Sequence, residues 1–159
     1  MSESQLRFRI KFLIIFFICS ILLSGITAFP LDTELAWLNE HKNIFPDSMA
    51  DWLGSVYYAE HDTNEKYPFL AYGTDWLAFA HVVIALIFIG PLKDPVRNKW
   101  VIDWAIIACF CVFPLALIAG PIRNVPMFHR LIDCSFGAIG LIPLFVVRNY
   151  IKKLQKFQI

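Results

Sequence analysis

Hydrophobic positions along the chain gather into four long runs that are separated by polar stretches. Each run approaches the ~20 helical residues that are needed to cross about 30 Å of hydrocarbon. Backbone polar groups in lipid must be satisfied within their own segment, so the runs predict helices. The predicted spans are residues 12–29, 74–92, 101–119 and 127–147. The fold class expected for residues 1–159 is therefore a single all-α membrane domain, a four-helix transmembrane bundle.

The polar stretch of residues 30–73 has a helical pattern of its own. A short helix over residues 33–41 would carry Leu35 and Leu38 on one side. A second helix is expected to begin at an Asp47–Ser48 cap. Its apolar positions follow an i, i+3, i+4, i+7, i+8 pattern: Met49, Trp52, Leu53, Val56 and Tyr57. The chain thus predicts an extracytoplasmic helical loop between helices 1 and 2.

Composition and charge agree with a membrane protein. The chain is 58% hydrophobic and only 17% charged, whereas soluble domains are about a quarter charged. Ten of its 14 basic residues lie in the terminal segments and between the second and third spans: Arg7, Arg9, Lys11, Lys93, Arg97, Lys99, Arg148, Lys152, Lys153 and Lys156. The positive-inside rule then predicts that both termini are cytoplasmic, and we expect a bacterial inner (plasma) membrane.

The same charge distribution bears on partners. No basic stripe of the kind that binds nucleic acid is present, so nucleic acid is excluded as a partner. Membrane lipids are the expected partners, and a homo-oligomer or a membrane complex is left open.

The first apolar run also resembles a secretory signal, because a basic head precedes it and the small Ala28 ends it. At about 18 residues it is longer than the ~7–15 of a signal core. Ser20, Ser24 and Thr27 recur at helical spacing, which favours a retained helix that packs against others.

Ionisable side chains gather at the outer ends of the predicted spans. His129 and Asp133 are four residues apart and share one face of the fourth span, near Gly137 and Gly140, which would let another helix approach. Ionisable groups in spans are costly and by default mark a site. The candidate catalytic residues are His129, Asp133 and Arg123. The candidate ligand-binding residues are Asp75, His81, Arg130 and His61.

Two further expectations concern the helix faces. His81 shares a face with the small residues Ala78 and Ala85, so it should look toward other helices. At the inner end Asp103 is the one acidic exception, and it is expected to pair with Lys99.

Three chemical uses of the outer residues are open. One is a divalent metal such as zinc, with His81, His129 and Asp133 as candidate ligands. A second is acid–base or phosphate chemistry, in which Arg123 holds an anion and Asp133 orients His129. The third is haem bound between His81 and His129. The structural alternative is an ion-pair cluster that anchors the fourth helix, because such networks also occur without catalysis.

One short motif resembles an enzyme family. The pattern Arg123–x5–His129–x3–Asp133 is similar to the last motif of the type-2 phosphatidic acid phosphatases. The resemblance implies that the arginine binds phosphate, the histidine is the nucleophile and the aspartate orients it. The match covers eleven residues, and the other motifs of that family are absent from this chain.

The helix layout is also similar to that of VanZ-like membrane proteins. In those proteins an Asp and a His begin the second helix, and an Arg and an Asp flank the start of the fourth, before glycines. Comparable positions here are Asp75, His81, Arg123, Asp133, Gly137 and Gly140. The acidic and glutamine residues that precede the arginine in that family are replaced by residues 117–121.

These observations lead to one functional hypothesis and one alternative. The hypothesis is a small inner-membrane protein whose outward-facing pocket binds a polar or anionic ligand, such as a lipid headgroup or a lipid-linked substrate. The alternative is a non-enzymatic accessory or assembly subunit of a membrane complex. Whether the protein is an enzyme is left open.

Overall fold

The computed structural model describes residues 1–157, and the chain folds as helices with no strand in that range. The α-helices are α1 (Glu3–Thr27), α2 (Leu31–Glu40), α3 (Asp47–Lys66), α4 (Ala71–Ile87), α5 (Ile89–Lys93), α6 (Lys99–Pro114), α7 (Gly120–Ile122) and α8 (Met127–Gln155). Short 3₁₀ helices cover Lys42–Ile44 and Pro68–Leu70, and a π-helical turn covers Leu115–Ala119. The all-α prediction is confirmed.

Four helical stretches are long and apolar enough to cross a membrane: Glu3–Thr27, Pro68–Lys93, Lys99–Ile122 and Met127–Gln155. The third is not a regular α-helix throughout, because Pro114 has no N–H for the carbonyl of Phe110. The helix continues as the π-helical turn, an adjustment by which spanning helices re-satisfy freed backbone groups. Pro143, by contrast, lies inside α8 without ending it.

The helices form two compact units. We call Met1–Cys19 together with Leu86–Ile159 the terminal unit, and Ser20–Ala85 the loop unit. The terminal unit contains the largest fully buried side chains of the described residues: Leu6, Ile10, Ile14, Phe88, Pro91, Val101, Ile102, Leu144, Val147, Ile151 and Leu154. On α1 and α8 these residues recur every three or four positions and so lie on one face of each helix. The terminal unit is thus built around a core of large apolar side chains.

Helices α6 and α8 of the terminal unit approach closely where α8 carries two glycines. A Cβ added at Gly137 would stand 2.8 Å from the Cys109 carbonyl oxygen. One added at Gly140 would stand 3.1 Å from the Cys109 sulfur. A larger side chain at either position would push the two helices apart. The prediction that these glycines admit a neighbouring helix is confirmed.

Small residues also bring helices together in the loop unit. Ala78 and Ala85 of α4 are fully buried, as their shared face predicts. A Cβ added at Gly25 of α1 would stand 2.7 Å from Cβ of His81 and 2.9 Å from the carbonyl oxygen of Ala78. The backbones of α1 and α4 therefore meet at Gly25, with His81 beside the contact.

Helices α2 and α3 form the rest of the loop unit and pack against each other. Both predicted helices of this stretch are present, and Leu35 on α2 is buried. The predicted Asp47–Ser48 cap is wrong, because the N-cap position is one residue earlier, at Pro46. Proline has no side-chain acceptor, and no side-chain hydrogen bond caps this helix.

Candidate functional site

The seven predicted site residues fall into both units. The loop unit contains His61, Asp75 and His81, and the terminal unit contains Arg123, His129, Arg130 and Asp133.

His129 and Asp133 lie on one face of the first turns of α8, as their spacing predicts. His129 Nε2 is 3.8 Å from Asp133 Oδ1, and the two side chains are 44% and 41% exposed. Hydrogen bonds of this kind are 2.7–3.2 Å long. The pair is therefore at ion-pair distance, without the short bond by which an aspartate orients a catalytic histidine.

Arg130, on the next position of α8, lies across the end of the preceding helix. A Cβ added at Gly120 would stand 2.5 Å from Arg130 Cδ and 2.8 Å from its Cγ. The aliphatic stem of Arg130 thus occupies the space that a side chain at position 120 would need. Its Nε atom is inaccessible and has no hydrogen-bond partner in the described structure. Arg130 therefore contributes packing at the α7–α8 turn, which the sequence pattern had not indicated.

Arg123 is exposed at the end of α7, in a turn that reverses the chain before α8. Asn124 follows with φ 57°, the left-handed conformation that asparagine tolerates. The amide of Val125 donates to the Gly120 carbonyl and that of Asn124 to the Pro121 carbonyl. These two bonds form a Schellman motif, which ends the helix. In the described structure no ion pair joins Arg123 to Asp133, and its anion-binding role stays a prediction.

His61 is tied to neighbours within the loop unit. Its Nδ1 is 3.1 Å from Asp32 Oδ1 on α2, and its Nε2 is 3.6 Å from Glu65 Oε1 on its own helix. Its ring also stacks on Tyr57, with centroids 5.4 Å apart. His61 therefore links α3 to α2, and this contact positions Asp32.

His81 forms its hydrogen bond inside its own helix. Its Nδ1 is 2.8 Å from the carbonyl oxygen of Leu77, one turn earlier in α4. A carbonyl oxygen only accepts, so Nδ1 carries the proton and donates. In the neutral ring Nε2 is then an acceptor, the form in which a histidine binds a metal through that atom. The bond lies within α4, and it does not join His81 to a neighbouring helix.

Asp75 contributes to a cavity of about 230 Å³ that lies wholly in the loop unit. The wall combines polar and apolar residues: Ala28, Phe29, Pro30, Leu31, Asp32, Thr33, Glu60, Asn64, Ala71, Thr74 and Asp75. We call this space the polar cavity. Sequence reasoning missed Asp32, because it enters the wall only through the packing of α2 on α3. Asn64 has a weak local signal, since it lies one turn beyond Glu60 on α3.

An open aromatic groove adjoins the polar cavity. It measures about 340 Å³ and is lined by Phe29, Tyr72, Asp75, Trp76 and Phe79. Phe29 and Asp75 line both spaces. Trp76 lies edge-on to Tyr72 and to Phe79, with ring centroids 6.1 and 5.8 Å apart. Tyrosine and tryptophan are typical of the membrane–water interface, where one end of the ring is apolar and the other wet.

The charges of the polar cavity restrict what it can hold. Three carboxylates line it, from Asp32, Glu60 and Asp75, and none of its lining residues is a lysine or an arginine. An anion would be repelled there, whereas an ammonium group or a neutral hydrogen-bond donor would be attracted. The part of the ligand that enters this cavity is therefore expected to be cationic or a donor.

Within residues 1–157, no three side chains among His, Cys, Asp and Glu are grouped so as to hold a metal ion. Zinc and haem at His81, His129 and Asp133 stay predictions. The donor types are suitable, but His81 belongs to one unit and the other two residues belong to the other.

Two short charged contacts lie elsewhere in the terminal unit. Asp103 accepts from Lys99 at 2.7 Å, which confirms the predicted pair, and from Arg148 Nε at 2.6 Å. Arg148 was missed because it is 45 positions away in the chain. The close contact of Gly137 with Cys109 sets an antiparallel register of α6 and α8 that brings Arg148 opposite Asp103.

Comparisons with models of protein families, with curated proteins and with solved structures gave no match for this chain.

Proposed function

We propose that this chain is a small multi-pass membrane protein that binds a polar lipid headgroup, or the head of a lipid-linked molecule, in the polar cavity. One observation carries the proposal: the polar cavity and the aromatic groove share Phe29 and Asp75. A headgroup needs hydrogen-bonding walls, and the chain attached to it needs an apolar surface next to them. Here both surfaces adjoin within one unit.

The carboxylates refine the kind of headgroup. Asp32, Glu60 and Asp75 favour a head that carries an amine or another cationic group. This replaces an anionic group as the preferred ligand of this cavity. Aromatic faces such as those of Tyr72 and Trp76 also attract cations.

Native mass spectrometry of the detergent-purified protein tests the proposal. The sample is incubated with equal amounts of phosphatidylethanolamine and diacylglycerol, which has no charged headgroup, and retained lipids are identified by mass. We expect the ethanolamine lipid to be enriched on the wild type. Asp75→Asn should weaken its retention about fivefold, the effect of about 1 kcal/mol of hydrogen bonding. The matched control Asp51→Asn, at an exposed position of α3 outside the cavity, should retain it like the wild type.

Two results would contradict the proposal. Equal retention of the two lipids would show that the carboxylates do not select the headgroup. An equal loss in Asp75→Asn and Asp51→Asn would show a general effect of charge on a surface.

An enzymatic role rests on the terminal unit. If the protein acts on its ligand, we propose His129 as the base or nucleophile. Asp133, at 3.8 Å, would orient it, and Arg123 would bind the anion. A His129→Ala variant that folds like the wild type but turns over no lipid phosphate would support this role. A variant that loses stability instead would support the helix-anchoring alternative.

A non-enzymatic accessory subunit is the second candidate. It is favoured by large apolar side chains exposed on the loop unit, namely Trp37, Ile44 and Tyr58, at 58%, 77% and 61%. Exposed apolar surface of this kind is typical of partner interfaces. Affinity purification of wild type and of Ile44→Asp should then recover a membrane partner with the first protein and lose it with the second.

The membrane topology is also a proposal. We propose four crossings of a bacterial plasma membrane, with both termini cytoplasmic and residues 30–73 outside. The asymmetry of basic residues supports this orientation. Single cysteines introduced at Ser48 and at Ser2 are expected to react with an impermeant thiol reagent only at position 48 in intact cells.

A further inference from the structure

The boundary between α1 and α8 in the terminal unit suggests a second lipid site. This inference does not depend on the proposed function. One cavity of about 240 Å³ lies along it, lined by Phe8, Arg9, Phe12, Leu13, Val146 and Tyr150. A second cavity, of about 350 Å³, is lined by Met1, Leu6, Lys153, Lys156 and Phe157. Leu6 of the second cavity lies about one helical turn before Arg9 of the first on α1, and Lys153 lies about one turn after Tyr150 on α8. We call Arg9, Tyr150, Lys153 and Lys156 the basic seam.

The chemistry of the first cavity has two parts. Arg9 donates to the hydroxyl oxygen of Tyr150 at 3.4 Å, while the other lining residues are apolar. The Tyr150 hydroxyl accepts from Arg9 and so keeps its own proton free to donate to a further acceptor. Phe8 and Phe12 are 72% and 62% exposed, so the apolar floor is open to an acyl chain.

The charge balance of these segments leaves the basic seam positive. Near the helix ends that carry most of its basic residues, the terminal unit has three acidic residues: Glu3, Asp94 and Asp103. Each already has a partner: a cation for Glu3 and Asp103, and two backbone amides for Asp94. In the described part of the chain no ion pair involves Arg9, Lys153 or Lys156. Among the described residues these cations thus have no acidic partner, and they are suited to bind an external anion.

We propose that the basic seam binds one anionic phospholipid. Its phosphate and anionic head lie against Arg9, Tyr150 and the lysines, and one acyl chain lies on Phe12 and Val146. Guanidinium and hydroxyl donors side by side suit phosphate oxygens, and basic pockets between spanning helices bind such headgroups. Free phosphate has no apolar part that could contact Phe12 and Val146, so these side chains favour a phospholipid over free phosphate.

Native mass spectrometry of the full-length protein with phosphatidylglycerol and phosphatidylcholine tests the site. The wild type should retain phosphatidylglycerol, and the variants of the basic seam should lose this lipid without losing phosphatidylcholine. Arg9→Gln should weaken that retention about fivefold, as should Lys153→Gln, because each basic residue near such a surface contributes about that factor. Tyr150→Phe keeps the ring and the charge, and should weaken it about two- to fivefold through the lost donor.

The matched control is Arg97→Gln, which removes the same charge from the connection between α5 and α6. It should retain phosphatidylglycerol like the wild type, because Arg97 does not line either cavity. Equal losses in Arg9→Gln and Arg97→Gln would overturn the site in favour of a diffuse surface charge. Retention of phosphatidylglycerol by Arg9→Gln, Lys153→Gln and Tyr150→Phe as strong as that by the wild type, or full displacement of this lipid by inorganic phosphate, would overturn it as well. Thermal unfolding of each variant in lipid-free detergent should match the wild type; a large drop would overturn a ligand role for that residue.

Discussion

The terminal unit and the loop unit bury different kinds of side chain. The terminal unit contains all eleven of the largest fully buried side chains among the described residues. The loop unit instead buries alanines and glycines at its helix contacts, together with Leu35, and leaves an open polar cavity. Interior packing is dense in proteins, and space left unfilled forfeits contacts. The comparison indicates that large buried apolar side chains stabilise the terminal unit, whereas the loop unit is held together by close contacts of small residues.

The two units should differ most in the free energy of unfolding that is lost when a buried side chain is replaced by alanine. Phe88→Ala removes a ring that is 1% exposed and packs on Phe17, with centroids 5.0 Å apart. We expect a loss of about 3 kcal/mol, toward the low end for such changes, because in this solution an unfolded Phe88 ring contacts detergent rather than water. Leu35→Ala, 9% exposed in the loop unit, should cost less. Unfolding of the detergent-solubilised protein in increasing SDS measures both.

The control for this comparison is Leu86→Ala, because Leu86 is 56% exposed in the terminal unit. It should change the free energy of unfolding by less than about 0.5 kcal/mol. If Leu35→Ala were the most costly of the three, the stabilising role of the terminal unit would be wrong.

Close helix contacts should be sensitive in both units. Gly137→Ala and Gly25→Ala each put a Cβ within 3 Å of a neighbouring helix, against Cys109 in one case and Ala78 and His81 in the other. Each should lose about 1–3 kcal/mol through forced backbone shifts. At Gly73 nothing lies within 4 Å of an added Cβ. Gly73→Ala should therefore be neutral or stabilise by up to about 1 kcal/mol, the gain in helix propensity.

The measurement is again unfolding of the purified variants. If Gly73→Ala destabilised as much as the other two, the losses would reflect a general intolerance of substitution. Close approach of the helices would then not be the cause.

The smallest expected effects are the coupling energies of two charged pairs in the terminal unit, and the two energies should differ. A double-mutant cycle of Asp103→Asn with Arg148→Gln should give a coupling of about 1 kcal/mol, because the side chains form a short charge-assisted bond and are about one third exposed. The cycle of His129→Gln with Asp133→Asn should give less than about 0.5 kcal/mol, because that pair is 3.8 Å apart and more exposed. A larger coupling for His129 and Asp133 would favour the helix-anchoring alternative over a role in chemistry.

Local patterns were enough to predict some of these features. Run length predicted four long apolar helices, and i, i+4 spacing predicted the bond between Lys99 and Asp103. Helical spacing also placed Ala78 and Ala85 on one face, and both are buried. These features depend only on residues within a few turns of one another.

Other features depend on how distant segments pack. Arg148 meets Asp103 only through the register of α6 on α8, and Asp32 joins Asp75 in one wall only through the packing of the loop unit. The N-cap of α3 was misplaced because aspartate and serine are common caps, whereas Pro46 takes that position here.

Photocrosslinking in membranes tests the central claim most directly. A phosphatidylethanolamine analogue that carries a diazirine near its headgroup is incorporated with the protein into vesicles, irradiated, and mapped by peptide mass spectrometry. If the headgroup binds in the polar cavity, we expect crosslinks concentrated on Phe29 and on the stretch from Tyr72 to Phe79. These crosslinks should be lost in Asp75→Asn but not in Asp51→Asn. Crosslinks spread evenly over all four long apolar helices, and unchanged in Asp75→Asn, would contradict it.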